Sequence, residues 1–183
     1  MNSTLAAPRF LNPTLLASHF HIDTGATVLD VGSGLGTFIP SLVKKVGGGG
    51  KVVACDVERG HIDTIAKTCK RSGFNNVDPR WCDIEVYEST RLGESSVDYV
   101  IIINTLYQLT QPTEALREVY RTVRSGGMVY VVDWQESFSG LGPMVDVVVS
   151  RDAAICLFEA SLFILERDYP AGAFHYGLAF RKL

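Results

Sequence analysis

The sequence predicts a single α/β domain over residues 1–183, built on a doubly wound sheet of seven strands with helices on both faces. Apolar runs of about four to eight residues alternate with amphipathic stretches of about ten to fifteen, which is typical of βαβ units. The run at 100–103 is β-branched throughout, which indicates a central strand buried on both faces. Only residues 170–173 separate the last two apolar runs, so the mostly parallel sheet ends in a hairpin and an antiparallel last strand.

The elements are predicted where apolar patterns lie between turn-forming residues. In chain order the strands cover 27–31, 51–56, 77–82, 98–104, 128–133, 162–169 and 174–182. The helices cover 37–46, 60–71, the segment from 112 to the turn Ser125-Gly126-Gly127, and 151–160. Pro112 is favoured in the first turn of a helix, and Ser150 is the expected N-cap of the last one.

Composition and charge exclude several classes of protein. The 17 Lys and Arg against 20 Asp and Glu give a net charge of −3, so a basic surface for nucleic acid is not expected. No run of about 18 apolar residues is present, and the first ten residues have neither a basic leader nor an apolar core. We therefore expect no membrane association and a cytoplasmic location.

The four cysteines are Cys55, Cys69, Cys82 and Cys156, and their spacing matches neither a CxxC pair nor a set of zinc ligands. Cys55 and Cys82 each stand in an apolar run directly before an aspartate, as small core residues of strands do. We expect four reduced thiols and no metal site.

A row of arginines lies on the predicted helix after Pro112. Arg117 and Arg121 follow Glu114 and Glu118 by three residues each, and Arg124 continues the row. This spacing predicts a solvated helix face with salt bridges.

The segment VLDVGSGLGTF, residues 28–38, has Gly32, Gly34 and Gly36 between a strand and a helix. Glycines at this place let a ligand lie against bare backbone near the positive end of the helix. The dinucleotide fingerprint GxGxxG requires a glycine at position 37, where this chain has Thr37, and no P-loop sequence is present. The turn therefore favours a ligand of the nucleotide type other than a dinucleotide, with a plain strand–helix connection as the alternative.

Acidic residues close the next two strands. Asp56 ends the second strand about twenty residues after the glycine turn, where a carboxylate accepts hydrogen bonds from both hydroxyls of a ribose. Asp83 follows the third strand at the same edge of the sheet and can accept from an exocyclic amine such as that of adenine. The alternative is that either aspartate caps a helix or a turn.

These motifs together resemble those of the class I S-adenosylmethionine-dependent methyltransferases, over about residues 10–182. VLDVGSGLG is similar to the first motif of that family, ACDVE to the second, WCDIE to the third and VDYVIIINTLYQL to the fourth. EALREVYRTVRSGGMVYVVDW is similar to the segment before the fifth strand in the small-molecule branch, which includes quinone-biosynthesis and arsenite methylases. The hairpin with its reversed last strand also matches that fold.

The resemblance implies S-adenosylmethionine as cofactor, S-adenosylhomocysteine as product and a set of cofactor-binding residues. This set is Phe10, Asp30, Gly32, Ser33, Gly34, Gly36, Asp56, Val57, Asp83, Ile84 and Asn104. The glycine turn and Asn104 would face the methionine part, and Asp30 would organise the turn. Asp56 would hold the ribose and Asp83 the adenine amine. Val57 and Ile84 would cover the two faces of the adenine, and residues 1–20 would form a lid.

The implied reaction is direct displacement at the sulfonium methyl, in which the protein supplies position and electrostatics. A general base is needed only if the pKa of the acceptor nucleophile lies well above the ambient pH. Tyr107, Asp133 and His175 are candidates, each with a packing or capping role as its alternative, so no catalytic residue is assigned.

Two differences from known methylases narrow the range of possible methyl acceptors. The sequence after the fourth strand is Asn104-Thr105-Leu106-Tyr107, without the prolines of nucleobase methylases, and the cysteines do not support arsenite as the acceptor. No large appended domain selects a macromolecule, so we expect a small-molecule acceptor. The alternatives are an inactive cofactor-binding module, an RNA or protein methyltransferase with an accessory subunit and, last, a nicotinamide dehydrogenase; the oligomeric state stays open.

Overall fold

The computed structural model describes residues 11–138 and 142–183, and a seven-stranded sheet forms its centre. The strands are β1 (Thr27–Val31), β2 (Lys51–Asp56), β3 (Val77–Trp81), β4 (Val97–Ile103), β5 (Val123–Trp134), β6 (Phe163–Pro170) and β7 (His175–Lys182). Their order across the sheet is β3-β2-β1-β4-β5-β7-β6. The first five are parallel, and β7 is antiparallel to both of its neighbours, as the sequence predicts.

Helices cover both faces of the sheet, which confirms the predicted class. They are α1 (Pro13–Ala17), α2 (Ile39–Val46), α3 (Arg59–Ser72), α4 (Pro112–Thr122) and α5 (Arg151–Ala160). The first three pack on one face and the last two on the other. The short helix α1 falls in the segment expected to be a lid and is not predicted from the sequence.

The local signals explain most of the elements. Val100 and Ile101 in β4 are fully buried, because helices lie on both sides of this central strand. Pro112 opens α4, and Leu116 and Val119 form its buried face. Ser150 caps α5 by accepting a hydrogen bond from the backbone N–H of Ala153 at 3.2 Å.

Ser125, Gly126 and Gly127 lie inside β5 and not in a turn before it, so the predicted start of this strand at 128 is wrong. The chain enters β5 directly after α4, and the pairing with β4 shifts register between Val97 and Tyr99. Gly126 has φ of 74°, which relieves this irregular stretch. A Cβ at Gly127 would lie 2.8 Å from the carbonyl oxygen of Asp98. The helix α4 ends at Thr122, before these glycines, so the prediction that they end the helix is wrong. They instead allow the bulged start of β5.

Two of the four cysteines are paired, so the prediction of four free thiols is wrong. Cys55 and Cys82 form a disulfide between the end of β2 and the residue after β3. The two strands are neighbours in parallel register, which brings the two Cα atoms to 5.9 Å, within the usual span of a disulfide. Cys69 is buried and Cys156 exposed, and both are free.

The predicted solvated face of α4 is also corrected. Arg117 and Glu114 form an exposed pair, as expected. Arg121 and Glu118 are instead buried, with side chains 7% and 0% exposed, and Glu118 also accepts hydrogen bonds from Glu88 N and Thr90 Oγ1. The spacing of charges predicts the ion pairs correctly, but the loop after β3 covers one of them.

Pro79 lies in the middle of β3, a position that only an edge strand tolerates. The N–H of Cys82 donates to β2, and the carbonyl of Asn76 accepts from it. Since successive residues of a strand alternate in direction, the even-numbered residues of β3 face β2. The nitrogen of Pro79 therefore points away from the sheet, where no ladder bond is lost.

Candidate functional site

A cavity of about 280 Å³ opens at the carboxyl ends of β1, β2 and β4. The chain leaves β1 for β2 on one side and returns to place β4 on the other, so strand order reverses here. In open α/β sheets this switch point is where ligands bind. The described residues that line the cavity are Val31, Gly32, Gly34, Cys55, Asp56, Val57, Glu58, His61, Cys82, Asp83, Ile84, Glu85, Thr105, Gln108 and Leu109.

The glycine turn after β1 is bound to the end of β2. The N–H groups of Gly32 and Ser33 both donate to the carbonyl of Cys55, at 2.9 and 3.0 Å. Gly32 has φ of 68°, and a Cβ there would lie 2.4 Å from Thr105 Oγ1, so glycine is required. Gly34 has φ of 53° and open space where a Cβ would stand. The turn thus presents bare backbone to the cavity, and α2 begins only at Ile39, two residues later than predicted.

Asp56 lies at the floor of the cavity with its side chain 9% exposed. Its Oδ2 accepts a hydrogen bond from Gly34 N–H, and its Oδ1 accepts one from Glu58 N–H, both at 2.8 Å. His61 Nδ1 lies 3.2 Å from the same Oδ1. The carboxylate therefore joins the glycine turn to the start of α3.

The loop after β3 forms the opposite wall. Asp83 is exposed, and one of its oxygens accepts a hydrogen bond from Glu85 N–H at 2.9 Å. Ile84 is buried, whereas Val57, on the wall next to Asp56, is 54% exposed. An apolar side chain on each wall, with one carboxylate near each, suits a flat base attached to a ribose.

The cavity is acidic. Asp56, Glu58, Asp83 and Glu85 all line it, and the described lining residues include neither lysine nor arginine. Four carboxylates attract a cation and repel the pyrophosphate of a dinucleotide. The charge of the cavity and Thr37 both disfavour a nicotinamide cofactor.

Asn104, directly after β4, has an unusual conformation and an unpaired polar atom. Its φ is 53°, a left-handed value that asparagine tolerates better than most residues. Its backbone is held in place, because its N–H donates to Val132 O at 2.8 Å and its carbonyl accepts from Gln108 Nε2 at 2.7 Å. The side-chain Oδ1 is buried, with no hydrogen-bond partner among the described residues. A buried acceptor of this kind fits a ligand donor such as an ammonium group.

Asp30 lies in β1 just below the turn and is 4% exposed. Burial and, to a smaller extent, the nearby charge of Asp56 raise the pKa of its carboxyl, a hydrogen bond from Ser33 opposes the shift, and the resulting pKa is about 7. A cation bound above the turn would favour the charged form of Asp30.

The three candidate bases differ in their surroundings. Asp133 is fully buried and accepts hydrogen bonds from Leu106 N–H and Trp134 N–H, each at 2.8 Å, while burial raises its pKa to about 6. His175 packs on Trp134 with ring centroids 4.3 Å apart, and burial lowers its pKa to about 4. Its Nε2 has no partner among the described residues. Burial also raises the pKa of Tyr107. Asp133 therefore holds the turn after β4, and His175 is a weak base at neutral pH.

Of the predicted cofactor-binding residues, Gly32, Gly34, Asp56, Val57, Asp83 and Ile84 line the cavity. Asp30, Ser33, Gly36 and Asn104 adjoin the same strand ends without lining it, and Phe10 lies outside the described residues. Sequence reasoning missed Glu58, His61 and Thr105. Their closeness to Asp56 and Asn104 in the chain is the one signal that could have indicated them.

A larger groove, of about 670 Å³, lies against the outer side of β3. Arg59, Arg80, Trp81 and Arg91 line it, and Arg59 stacks on the ring of Trp81 at 3.9 Å. Neither the glycine turn nor Asp56 lines this groove, so we do not assign it as the cofactor site although it is larger than the cavity.

The fold, the glycine turn at the switch point and the acidic cavity define a class I S-adenosylmethionine-dependent methyltransferase. The polar groups of the site fit that cofactor. The carboxylates and the unpaired Oδ1 of Asn104 are hydrogen-bond acceptors, which suit a ligand with hydroxyl groups and two positive charges. The profile of a family described as "Methyltransferase domain" matches residues 22–161, and the chain belongs to this family.

Known proteins agree with this assignment. An arsenite methyltransferase of Aquipseudomonas alcaligenes is 37% identical over 117 residues, which cover 60% of this chain and 33% of that protein. The ubiquinone/menaquinone biosynthesis C-methyltransferase UbiE of Hahella chejuensis is 27% identical over 72% of this chain and 57% of its own length. The chain thus spans only about a third to a little over half of these curated relatives. The crystal structure of a SAM-dependent methyltransferase from Aquifex aeolicus superposes with a TM-score of 0.87 at 25% identity, covering 95% of this chain and 91% of that one.

No helix in the described part of the chain combines the length and apolar character needed to cross a bilayer.

Proposed function

We propose that this chain methylates a small-molecule acceptor with S-adenosylmethionine as the methyl donor. The observation that carries the proposal is the acidic cavity between a bare glycine turn and the loop after β3. It combines the shape for an adenosyl group with the charge for a cation.

For the adenosyl part, the proposal assigns Asp56 to the ribose hydroxyls and Asp83 to the adenine amine. Val57 and Ile84 cover the two faces of the base. These residues line the cavity, and hydrogen bonds fix Asp56 and Asp83 in place.

For the methionine part, the proposal assigns the turn at Gly32, Ser33, Gly34 and Gly36, with Asn104 at the end of β4. The unpaired Oδ1 of Asn104 accepts a hydrogen bond from the ammonium group. Asp30 supports the turn from below and adds a negative charge once it loses its proton. Phe10 and the segment before α1 are proposed to cover the cofactor.

When bound, S-adenosylmethionine supplies a methyl group on a positively charged sulfur, which a nucleophile displaces directly. The chain contributes orientation and exclusion of water. Neither Asp133 nor His175 is proposed as a general base. Backbone N–H groups hold the carboxylate of Asp133, and burial lowers the pKa of His175 to about 4, which makes its imidazole a weak base. Tyr107 keeps its proton at neutral pH and can donate a hydrogen bond to the acceptor.

A small acceptor is supported by the names of the relatives, one an arsenite methyltransferase and one a quinone-biosynthesis C-methyltransferase. No observation specifically favours an inactive cofactor-binding module, or an RNA or protein methyltransferase with an accessory subunit.

The test combines binding with turnover. Calorimetry with S-adenosylhomocysteine is expected to show one site per chain. Incubation with S-adenosylmethionine and a panel containing arsenite, a quinol, a catechol and small amines is expected to yield S-adenosylhomocysteine with one member of the panel. No binding would overturn the proposed cofactor site, whereas binding without any product would favour the inactive module.

A further inference from the structure

The carboxylate of Asp56 is nearly saturated with hydrogen-bond donors from the protein. Oδ2 accepts from Gly34 N–H and Oδ1 from Glu58 N–H, both at 2.8 Å. His61 Nδ1 is a third partner, 3.2 Å from Oδ1. The two backbone donors belong to the turn and to the start of α3, so only the histidine can move away.

Each carboxylate oxygen accepts about two hydrogen bonds. With His61 in place, Oδ1 has used both positions and Oδ2 has one left. The two neighbouring hydroxyls of a ribose need one position on each oxygen. The imidazole of His61 therefore occupies the position that the second hydroxyl requires.

The surroundings of His61 let it leave this position. It is the third residue of α3, its side chain is 38% exposed, and it lines the cavity beside Asp56. The other charged groups that line the cavity are Glu58 at the start of α3, and Asp83 and Glu85 from the loop after β3. Since a partly exposed pair is worth little free energy, rotation of the ring into solvent costs little.

We propose that His61 is a specificity-determining residue of the cofactor site, which competes with the ribose for Asp56. This inference rests on the proposed role of Asp56. A ligand with both hydroxyls must displace the imidazole from Oδ1, whereas a ligand that uses only the free position on Oδ2 need not. The wild-type site therefore discriminates less between a ribose and a deoxyribose than a site in which no histidine contacts Asp56.

The test measures dissociation constants by calorimetry for S-adenosylhomocysteine and for its 2′-deoxy and 3′-deoxy analogues. In His61→Leu, S-adenosylhomocysteine is expected to bind about two- to fivefold tighter than in the wild type, which is the range of a partly exposed pair. The deoxy analogue that still has the hydroxyl facing Oδ1 is expected to show the same gain in affinity, and the analogue that lacks this hydroxyl is expected to show none. The comparison therefore identifies which hydroxyl faces Oδ1.

Two variants serve as controls. His61→Asn keeps an N–H donor close to the position of Nδ1 and is expected to bind like the wild type. Lys67→Leu removes an exposed polar side chain from the same helix, away from the cavity, and is expected to leave all three constants unchanged. Circular dichroism and thermal melting check that every variant folds.

The outcomes separate this inference from the proposed function. Weaker or unchanged binding of S-adenosylhomocysteine by folded His61→Leu would overturn the role of His61, while wild-type binding would leave the cofactor site intact. An equal gain for all three ligands would also overturn it, because the effect would then not depend on a hydroxyl. Absence of binding to the wild type would instead contradict the proposed function itself.

Discussion

Asp30 is a carboxyl whose protonation near neutral pH is altered by the fold. Burial raises its pKa from 3.8 to about 7, so the carboxyl keeps its proton in the folded protein where the unfolded chain has lost it. The contribution of Asp30 to stability is therefore most favourable below pH 4, falls as the pH rises toward 7 and is constant above that value.

The variant Asp30→Asn removes this dependence. At pH 8 we expect its free energy of unfolding to exceed that of the wild type by about 1–3 kcal/mol, with the difference shrinking to near zero at pH 4. Asp133, whose pKa is also raised, contributes equally to both proteins. Urea unfolding across this pH range measures the difference. A difference that does not change with pH would show that Asp30 does not titrate in this range.

Asp56 provides the second prediction at this scale. Asp56→Ala removes the acceptor assigned to the ribose and a hydrogen bond to the glycine turn, so S-adenosylhomocysteine is expected to bind at least about tenfold more weakly. Asp63→Ala, on the exposed side of the same helix α3, is the matched control for loss of negative charge. Equal effects of the two substitutions would mean that charge alone, and not the position of Asp56, attracts the ligand.

The residue scale also shows where sequence reasoning ends. Asp56 ends β2 and Asp83 lies just after β3, and the carboxyl ends of parallel strands meet at one edge of the sheet, so their nearness to the cavity could be predicted. The unpaired Oδ1 of Asn104 and the contact of His61 depend on side-chain directions after a turn. No spacing rule encodes those directions.

Helix α4 contains a buried ion pair, Glu118 with Arg121, which is joined to the loop after β3 by hydrogen bonds. Glu118→Ala leaves the guanidinium of Arg121 buried without its partner, and we expect a loss of about 3 kcal/mol in the free energy of unfolding. Glu114→Ala breaks the exposed pair on the same helix and is expected to cost below about 0.5 kcal/mol. Chemical denaturation measures both, and similar losses would show that the loop does not bury the first pair.

The disulfide joins two neighbouring strand ends 27 residues apart in the chain. We expect Cys55→Ser to lower the free energy of unfolding by about 2–4 kcal/mol relative to the oxidised wild type. Dithiothreitol should lower the melting temperature of the wild type, leaving that of Cys55→Ser unchanged, and Cys156→Ser serves as the control for an exposed free thiol. Non-reducing peptide mass spectrometry that finds two free thiols at positions 55 and 82 would contradict the pairing.

At the scale of elements, the sequence predicts which helices and strands exist better than it predicts the residues at which they begin and end. Pro112 and Ser150 mark helix starts by their own chemistry, and both positions are confirmed. The start of β5 depends on how residues 125–127 (Ser-Gly-Gly) meet β4, which is a contact between elements and has no local signal. Pairing of Cys55 with Cys82 likewise requires knowing that β2 and β3 are adjacent.

At the scale of the molecule, the cofactor cavity and the groove outside β3 differ in charge. The cavity is acidic, whereas three arginines and two aspartates line the groove. We expect S-adenosylhomocysteine to bind and NADH to show no saturable binding at millimolar concentration, because the pyrophosphate would face four carboxylates. Parallel fluorescence and calorimetric titrations check this, and tight NADH binding would restore the dehydrogenase alternative.

The number of strands, the mostly parallel sheet and the reversed last strand follow from the sequence because the chain is regular at large scale, whereas the order of the strands is seen only in the structure. Alternating strands and helices with short connections leave few ways to build the sheet, and the four-residue link before β7 forces its reversal. The acceptor pocket cannot be predicted from the sequence in the same way as the fold, because it depends on side chains from several distant segments at the carboxyl edge of the sheet.

The proline in β3 has a consequence for how copies of this chain can meet. An incoming strand laid beside β3 would present a carbonyl to the nitrogen of Pro79 and receive no proton from it. Two copies therefore cannot fuse their sheets into one continuous ribbon at this border without leaving a gap near its middle. The pyrrolidine ring of Pro79 therefore disfavours the growth of fibrils by addition of strands at this edge of the sheet.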